Sequence, residues 1–233
     1  MKFSIIIPCY NESKNIPLIL EKFSKIINRP DIEVLFVNNG SQDNSKEVLN
    51  QLIPKHNFSK AITIDKNIGY GNGIISGLSE AKGEFLAYTH ADLQTDPADL
   101  LKAFSIIGES TDPAKCFVKG NRKGRPFFDQ FFTTGMSFFE SIYLGKWLWD
   151  INAQPNVFHR NFFDQIKNRC PTDFSLDLFF LYMAKKNNLK IKRFNVEFPQ
   201  RIHGKSSWND GISSKWKFIK RTLQYSFKLK NEL

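Results

Sequence analysis

The chain has 233 residues, 41% of them hydrophobic, enough to bury the core of one sizeable α/β domain, and no run reaches the length of a membrane-spanning helix. Cys9, Cys116 and Cys170 have neither metal-site nor redox spacing, and the chain enters a strand at once with no signal peptide, which predicts a cytoplasmic protein and excludes a disulfide-stapled secreted fold. Net charge is +10, and from Arg201 onward eight Lys or Arg face two Asp or Glu, a local +6 suited to phosphate, nucleic acid or an anionic membrane, or simply to a solvated cationic surface.

Residues 3–8, FSIIIP, read as an apolar strand buried on both faces. The polar Cys9-Tyr10-Asn11-Glu12-Ser13 follows, then a helix with Leu18, Leu20, Phe23 and Ile26 on its apolar side. Residues 32–37 form a second such strand, ending in Asn38-Asn39-Gly40-Ser41, with Ser41 or Asp43 placed to cap a helix through Leu52. Residues 61–64 are a third strand. Asn67-Ile-Gly69-Tyr-Gly71-Asn-Gly73 then runs into a helix to Ala81. It lacks both the dinucleotide-binding spacing and the Lys-Ser/Thr of a P-loop, so its glycines suit a helix start that lies close to a ligand. A fourth strand, residues 85–88, and a fifth at Phe117-Val118 complete an alternation of strands and helices. That pattern predicts a mostly parallel sheet with helices on both faces and ligands at the strands' carboxyl ends.

The fourth strand turns polar at once, as Thr89-His90-Ala-Asp92-Leu-Gln94-Thr-Asp96-Pro97. Asp96 and Pro97 fit a helix cap and start. His90, Asp92 and Gln94 alternate along an extended segment, so an imidazole, a carboxylate and an amide oxygen face one way and can hold a divalent cation.

The segments SIIIPCYNE, VNNGSQDNS, NIGYGNGIISGL and THADLQTDP occur in the order and spacing of family 2 glycosyltransferases, which the first half of the chain resembles. The resemblance implies an α/β nucleotide-sugar-binding fold of the GT-A type and inverting, metal-dependent transfer. It places Pro8, Tyr10 and Glu12 beside the nucleobase and ribose, with Asn67 and Gly69 also among the nucleotide-sugar contacts. Asn39 falls where the family has an Asp that reads the base. Asp92 matches the second Asp of the Asp-x-Asp metal motif and also belongs with the nucleotide-sugar contacts. His90 replaces the first Asp, and Gln94 matches a metal-binding Gln of relatives resembling dolichyl-phosphate mannose synthase. Asn39 and His90 each remove a negative charge while keeping a ligand atom.

Lys119-Gly-Asn-Arg122-Lys123-Gly-Arg125 reads as a cationic loop. Residues 127–149 carry nine aromatics at helical spacing, either a core helix or an interfacial helix beside a lipid-linked acceptor. This pairing resembles the acceptor side of polyprenyl-phosphate glycosyltransferases, with Arg122 and Arg125 as acceptor contacts. Gln154-Pro-Asn-Val-Phe-His-Arg160 is similar to the family stretch that closes the acceptor side. Asp177, among apolar helical neighbours, is the candidate base or acceptor contact, with Asp173 in reserve as base or N-cap. Arg201-Ile-His203-Gly-Lys-Ser206-Ser207 resembles the family segment over the diphosphate. Residues 211–229 form a basic amphipathic helix, either at a membrane surface or packed on the domain.

The expected organisation is a glycosyltransferase domain over residues 1–207, with a nucleotide-sugar half (1–120) and an acceptor half (121–207), then the basic helix 208–233. The expected function is inverting transfer, with Mg²⁺ or Mn²⁺, from a nucleotide-diphosphate sugar to a lipid-linked or glycan acceptor, at the inner face of the cytoplasmic membrane. The rival is a catalytically weak nucleotide-sugar-binding scaffold of the same fold. The basic stretches carry no nucleic-acid-binding motif, so no nucleic-acid partner is expected.

Overall fold

The computed structural model describes residues 2–199, 201, 203 and 212–232. Its strands are β1 Phe3–Cys9, β2 Ile32–Asn39, β3 Ser59–Ile64, β4 Phe85–Tyr88, β5 Cys116–Lys123, β6 Asn156–His159 and β7 Lys190–Glu197. They form one sheet in the order β3-β2-β1-β4-β6-β5-β7. All pairs are parallel except those of β6, which runs antiparallel to both β4 and β5. The helices are α1 Asn15–Ile26, α2 Ser45–Leu52, α3 Tyr70–Glu80, α4 Ala98–Gly108, α5 Phe127–Leu144, α6 Arg160–Ile166, α7 Leu176–Lys186 and α8 Ile212–Asn231.

The two-residue period of a strand divides the core. Ile5, Ile7, Val34, Phe36, Phe85 and Ala87 point to one face, where α1, α2 and α4 bring Leu20, Phe23, Leu49 and Phe104. Ile6, Leu35, Val37, Leu86 and Tyr88 point to the other, against Ile74 and Leu78 of α3, Phe162 of α6 and Phe180 of α7. Burial on both faces is why these strands read as unbroken apolar runs. Asp43 accepts the Ser45 N–H at 3.0 Å and starts α2, while Asp96 accepts the Ala98 N–H at 3.0 Å and starts α4.

The basic segment read as a loop is mostly strand. β5 continues to Lys123 because β7 pairs with it from Cys116↔Lys190 to Lys123↔Glu197, a partner about 70 residues away that local pattern does not reveal. Lys119 consequently lies in the interior at 1% exposure.

Helix α5 is inverted relative to an ordinary surface helix. Its inward residues are Ser137, Glu140, Ser141 and Leu144, while Phe128, Phe131, Phe132, Phe138, Phe139 and Ile142 face outward. Ser141 donates to the Ser137 carbonyl at 2.6 Å and accepts the Leu148 N–H at 2.8 Å. Burial lifts the Glu140 carboxyl to about 7, against the opposing hydrogen bond from Ser226 of α8 at 2.6 Å. Tyr143 and Phe227 add a ring contact at 5.0 Å, so α8 packs on α5.

Candidate active site

The carboxyl ends of β1 and β2 are laced together. Asn11, in the left-handed region at φ 58°, accepts the N–H groups of Gln42 (2.8 Å) and Asp43 (3.3 Å). Ser41, Ser45 and Asp43 accept the N–H groups of Asn11, Glu12 and Ser13 at 2.9–3.2 Å. Pro8 is half-buried and Tyr10 exposed at the mouth. Glu12 accepts from the Asn15 amide at 2.5 Å. Burial raises its carboxyl, Asn15 opposes the rise, and the nearby Asp92 charge adds to it.

Asn39 is buried at the end of β2. Its amide donates to the Gly69 carbonyl at 2.9 Å, and Asn67 accepts the Gly69 N–H at 2.9 Å. Asn67 and Gly69 thus stand directly behind Asn39. The Asn39 Oδ1 is buried and has no hydrogen-bond partner among the described residues. The glycines here serve close packing within the chain. A Cβ at Gly71 would lie 2.5 Å from the Pro171 carbonyl oxygen, and the Asn72 N–H donates to the Thr172 carbonyl at 2.8 Å. The helix start therefore abuts the turn before α7, a contact invisible to sequence spacing.

Beyond β4, Asp92 is 3% exposed. Its Oδ1 accepts the Gln94 N–H at 3.0 Å, and its Oδ2 pairs with Arg201 Nη2 at 2.8 Å. Gln94 accepts from Arg201 Nε at 3.0 Å and donates to the Pro199 carbonyl at 3.0 Å. His90 lies against the Tyr70 ring, 5.6 Å between centroids. Among the described residues no cluster of three or more His, Cys, Asp or Glu could enclose a metal alone. The donor set does fit a hard cation completed by phosphate oxygens, which commonly needs only one or two protein carboxylates. His203 is exposed, and Ser206 lies outside the described residues.

A second, buried polar network surrounds Asp177. Asp177 on α7 is 3% exposed, and its Oδ1 accepts from Tyr88 (2.8 Å), Gln154 (3.1 Å) and Asn156 (3.5 Å). Burial raises the Asp177 carboxyl, while the Lys119 and His90 charges and the Tyr88 hydroxyl oppose that rise. Lys119 donates to the Ala153 carbonyl at 2.6 Å and to Asn156 at 2.8 Å, and burial pulls its ammonium down to about 7. Gln154 also donates to the Tyr70 hydroxyl at 3.2 Å, and its buried Oε1 has no partner among the described residues. Asp173 accepts the Ser175 N–H at 2.8 Å in the turn before α7, whose N-cap is Ser175 and not Asp173. Lys119, Tyr70, Tyr88 and Asn156 were not singled out by sequence pattern. An interior lysine after the apolar Phe117-Val118 was the one available signal.

Arg122 and Arg125 sit differently from the open cationic loop that the sequence suggests. Both side chains are 7% exposed around Asp150, which is 8% exposed. Asp150 accepts from the Arg122 backbone N–H at 2.8 Å and from its Nε at 2.9 Å. Burial works to raise the Asp150 carboxyl, but the Arg122 charge and hydrogen bonds hold it below its ordinary range. Arg125 donates to Thr133 at 2.9 Å and to the Asp129 carbonyl at 3.1 Å. Asp150→Ala leaves buried guanidinium groups uncompensated and should cost about 3–5 kcal/mol of stability, with Asp150→Asn milder. Denaturant unfolding checks this, and an unchanged midpoint for the Ala variant would contradict the assignment.

A model of "Glycosyl transferase family 2" matches residues 4–166. The undecaprenyl-phosphate 4-deoxy-4-formamido-L-arabinose transferase of Yersinia enterocolitica is 31% identical over 115 residues, 48% of this chain and 35% of that protein. The dolichol-phosphate mannosyltransferase of Pyrococcus furiosus is 30% identical over 149 residues, 63% of this chain and 42% of that protein. The chain thus spans well under half the length of these relatives. The mannosyltransferase PcManGT of Pyrobaculum calidifontis, solved with GDP-Man and Mn²⁺, superposes with a TM-score of 0.72 at 17% identity over 100% of this chain and 64% of that one. The architecture is the GT-A fold. With strand-end motifs, sheet order and a family match over well more than half its length all in agreement, the chain belongs to glycosyl transferase family 2.

Proposed function

We propose that the protein transfers a sugar, with inversion, from a nucleotide-diphosphate sugar to a polyprenyl-phosphate at an anionic membrane surface. The inverted helix α5 carries the choice of a lipid-linked acceptor. Phe131 (66%) and Phe138 (60%) are exposed on α5 and Trp147 (63%) just beyond its end, while Ser137, Glu140 and Ser141 of α5 are buried. A helix that hides its polar face and shows its aromatic one suits a headgroup boundary, with the lysines of α8 attracting anionic lipid. No helix among the described residues is long and apolar enough to cross a membrane, which fits surface attachment.

Residues at the strand ends divide the work. The orphaned Asn39 Oδ1 suits an N–H on the base, with Tyr10 and Glu12 beside the nucleoside. Asp92, His90 and Gln94 would hold a divalent cation, Mg²⁺ or Mn²⁺, which supplies Lewis-acid stabilisation of the departing nucleotide. Arg201 adds positive charge there, and His203 is a further candidate hydrogen-bond donor. Gln154 and Asp177 form the acceptor wall. Asp177 takes the proton of a hydroxyl acceptor, whereas a lipid phosphate is already anionic and needs orientation only. Arg122 and Arg125 supply positive potential to that side from within their Asp150 cluster.

Co-sedimentation with vesicles of anionic or neutral lipid tests the membrane contact. Binding to anionic vesicles should fall severalfold between low and high salt, and again in a Phe131→Ser/Phe138→Ser/Trp147→Ser variant. A protein that stays in the supernatant with both vesicles has a soluble glycan acceptor instead.

A further inference from the structure

Three donors hold Asp177, and none of them carries a charge. Tyr88, Gln154 and Asn156 converge on Oδ1 at 2.8, 3.1 and 3.5 Å. Oδ2 makes no hydrogen bond among the described residues, so it is the oxygen left to take a proton. Gln154 and Asn156 come from one short segment, 153–156, that leads into β6, and both are fully buried. The donors converge only while that segment is held.

Lys119 of β5 holds it. The Lys119 ammonium donates to the Ala153 carbonyl at 2.6 Å and to Asn156 Oδ1 at 2.8 Å. With Oδ1 so committed, the Asn156 amide turns its Nδ2 toward Asp177. The neighbouring Gly120 N–H donates to the Pro155 carbonyl at 3.0 Å, so β5 grips the segment on both sides of Gln154. Filling this space alone would call for an apolar side chain, which avoids the desolvation cost of an interior ammonium. The other titratable groups around Lys119 and Asp177 are Tyr88 and His90 at the end of β4, Tyr70 of α3, Arg122 of β5, Asp150 before β6 and Arg193 of β7. Asp150 has Arg122 and Arg125 as its own counter-ions, which leaves Asp177 to Lys119. Among the charges that oppose the effect of burial on Asp177, that of Lys119 acts most strongly, ahead of His90 and Arg122. Burial pulls the ammonium down to about 7, so its charge is present through the acidic range in which a carboxyl titrates.

Building on the reading of Asp177 as acceptor-side base under Proposed function, we propose that Lys119 is its positioning residue: the ammonium turns the Asn156 amide toward Oδ1, pins the segment that carries Gln154, and keeps Asp177 a carboxylate with Oδ2 open to the acceptor's proton. Lys119 acts through these neighbours and exchanges no proton itself. A merely structural lysine would steady the segment without changing the charge state of Asp177.

The test follows the ¹³C resonance of Asp177 in the full chain labelled with [4-¹³C]aspartate, in buffer with a chelator and no added metal. The Asp177 signal is the one missing from Asp177→Asn. Loss of a positive charge disfavours the carboxylate, so the titration midpoint of Asp177 moves up. Lys119→Gln keeps a hydrogen-bonding side chain of similar reach without the charge, and should raise that midpoint by about one pH unit. Lys119→Met also releases the Asn156 amide and should raise it at least as far. The acid limb of UDP-glucose or GDP-mannose hydrolysis with Mn²⁺ should move up in pH with the midpoint, while nucleotide affinity stays within about twofold. An unmoved midpoint in folded Lys119→Gln overturns the positioning role and leaves the base reading of Asp177 intact. An acid limb retained by Asp177→Asn overturns the base reading, and the positioning role falls with it.

Discussion

Asp92→Asn is expected to lower metal-dependent turnover of a nucleotide sugar by at least about a hundredfold, the scale seen when one preorganised electrostatic contact is removed. Asp92 is the one carboxylate in His90-Ala91-Asp92-Leu93-Gln94. Its two oxygens have separate tasks, since one accepts the Gln94 N–H and fixes the loop while the other faces Arg201. An amide in its place keeps one acceptor but turns its NH₂ toward a donor on either side. The negative charge that a cation requires is lost as well. The fold should survive, because the Asp92 contacts lie at a strand end and not in the two apolar layers. Hydrolysis of UDP- and GDP-sugars with Mn²⁺, alongside circular dichroism, measures both effects, and full activity in a folded Asp92→Asn protein rejects the role.

Asp177→Asn should lower transfer to a hydroxyl acceptor by about 10²-fold or more, and transfer to a lipid phosphate less, while changing nucleotide affinity less than about twofold. Three donors, from Tyr88, Gln154 and Asn156, converge on Asp177 Oδ1, and none of these residues belongs to the nucleotide-side lacing of β1 and β2. An asparagine amide can satisfy these donors only in one orientation, and in neither can it take a proton. Because burial holds the Asp177 carboxyl above its ordinary range, a base role makes wild-type transfer decline as pH falls through that raised value. The Asn variant then lacks this acid limb. Loss confined to nucleotide affinity places Asp177 outside the acceptor side, and an unaltered acid limb reduces it to orienting Gln154.

Much of the β1–β4 strand-end region was legible because its signals are local. An apolar strand, a polar strand end and a helix start fall within a dozen residues of one another, so Pro8 to Glu12, Asn39 and His90 to Gln94 could be read from short segments. The surroundings of Asp177 and Asp150 are assembled from separate stretches. Lys119 is interior because β7 pairs with β5 from far along the chain. Arg122 and Arg125 looked available because Asp150, which holds them, comes 25 or more residues later. The direction of α5 was equally hidden. Nine aromatics at helical spacing fit a core helix or an interfacial one, and their pattern alone does not reveal that Ser137, Glu140 and Ser141 are the buried residues.

The position of β6 has a mechanical consequence. It is hydrogen-bonded to β4 on one edge and to β5 on the other, so the β3-β2-β1-β4 strands and the β5-β7 strands are stitched into a single pleated plate. No hinge can open between them without tearing one of those ladders. Movement of the described sheet on ligand binding would then be confined to the plate's rim. Amide hydrogens of β4, β6 and β5 should accordingly exchange as one slow cooperative block, whether or not a nucleotide is bound.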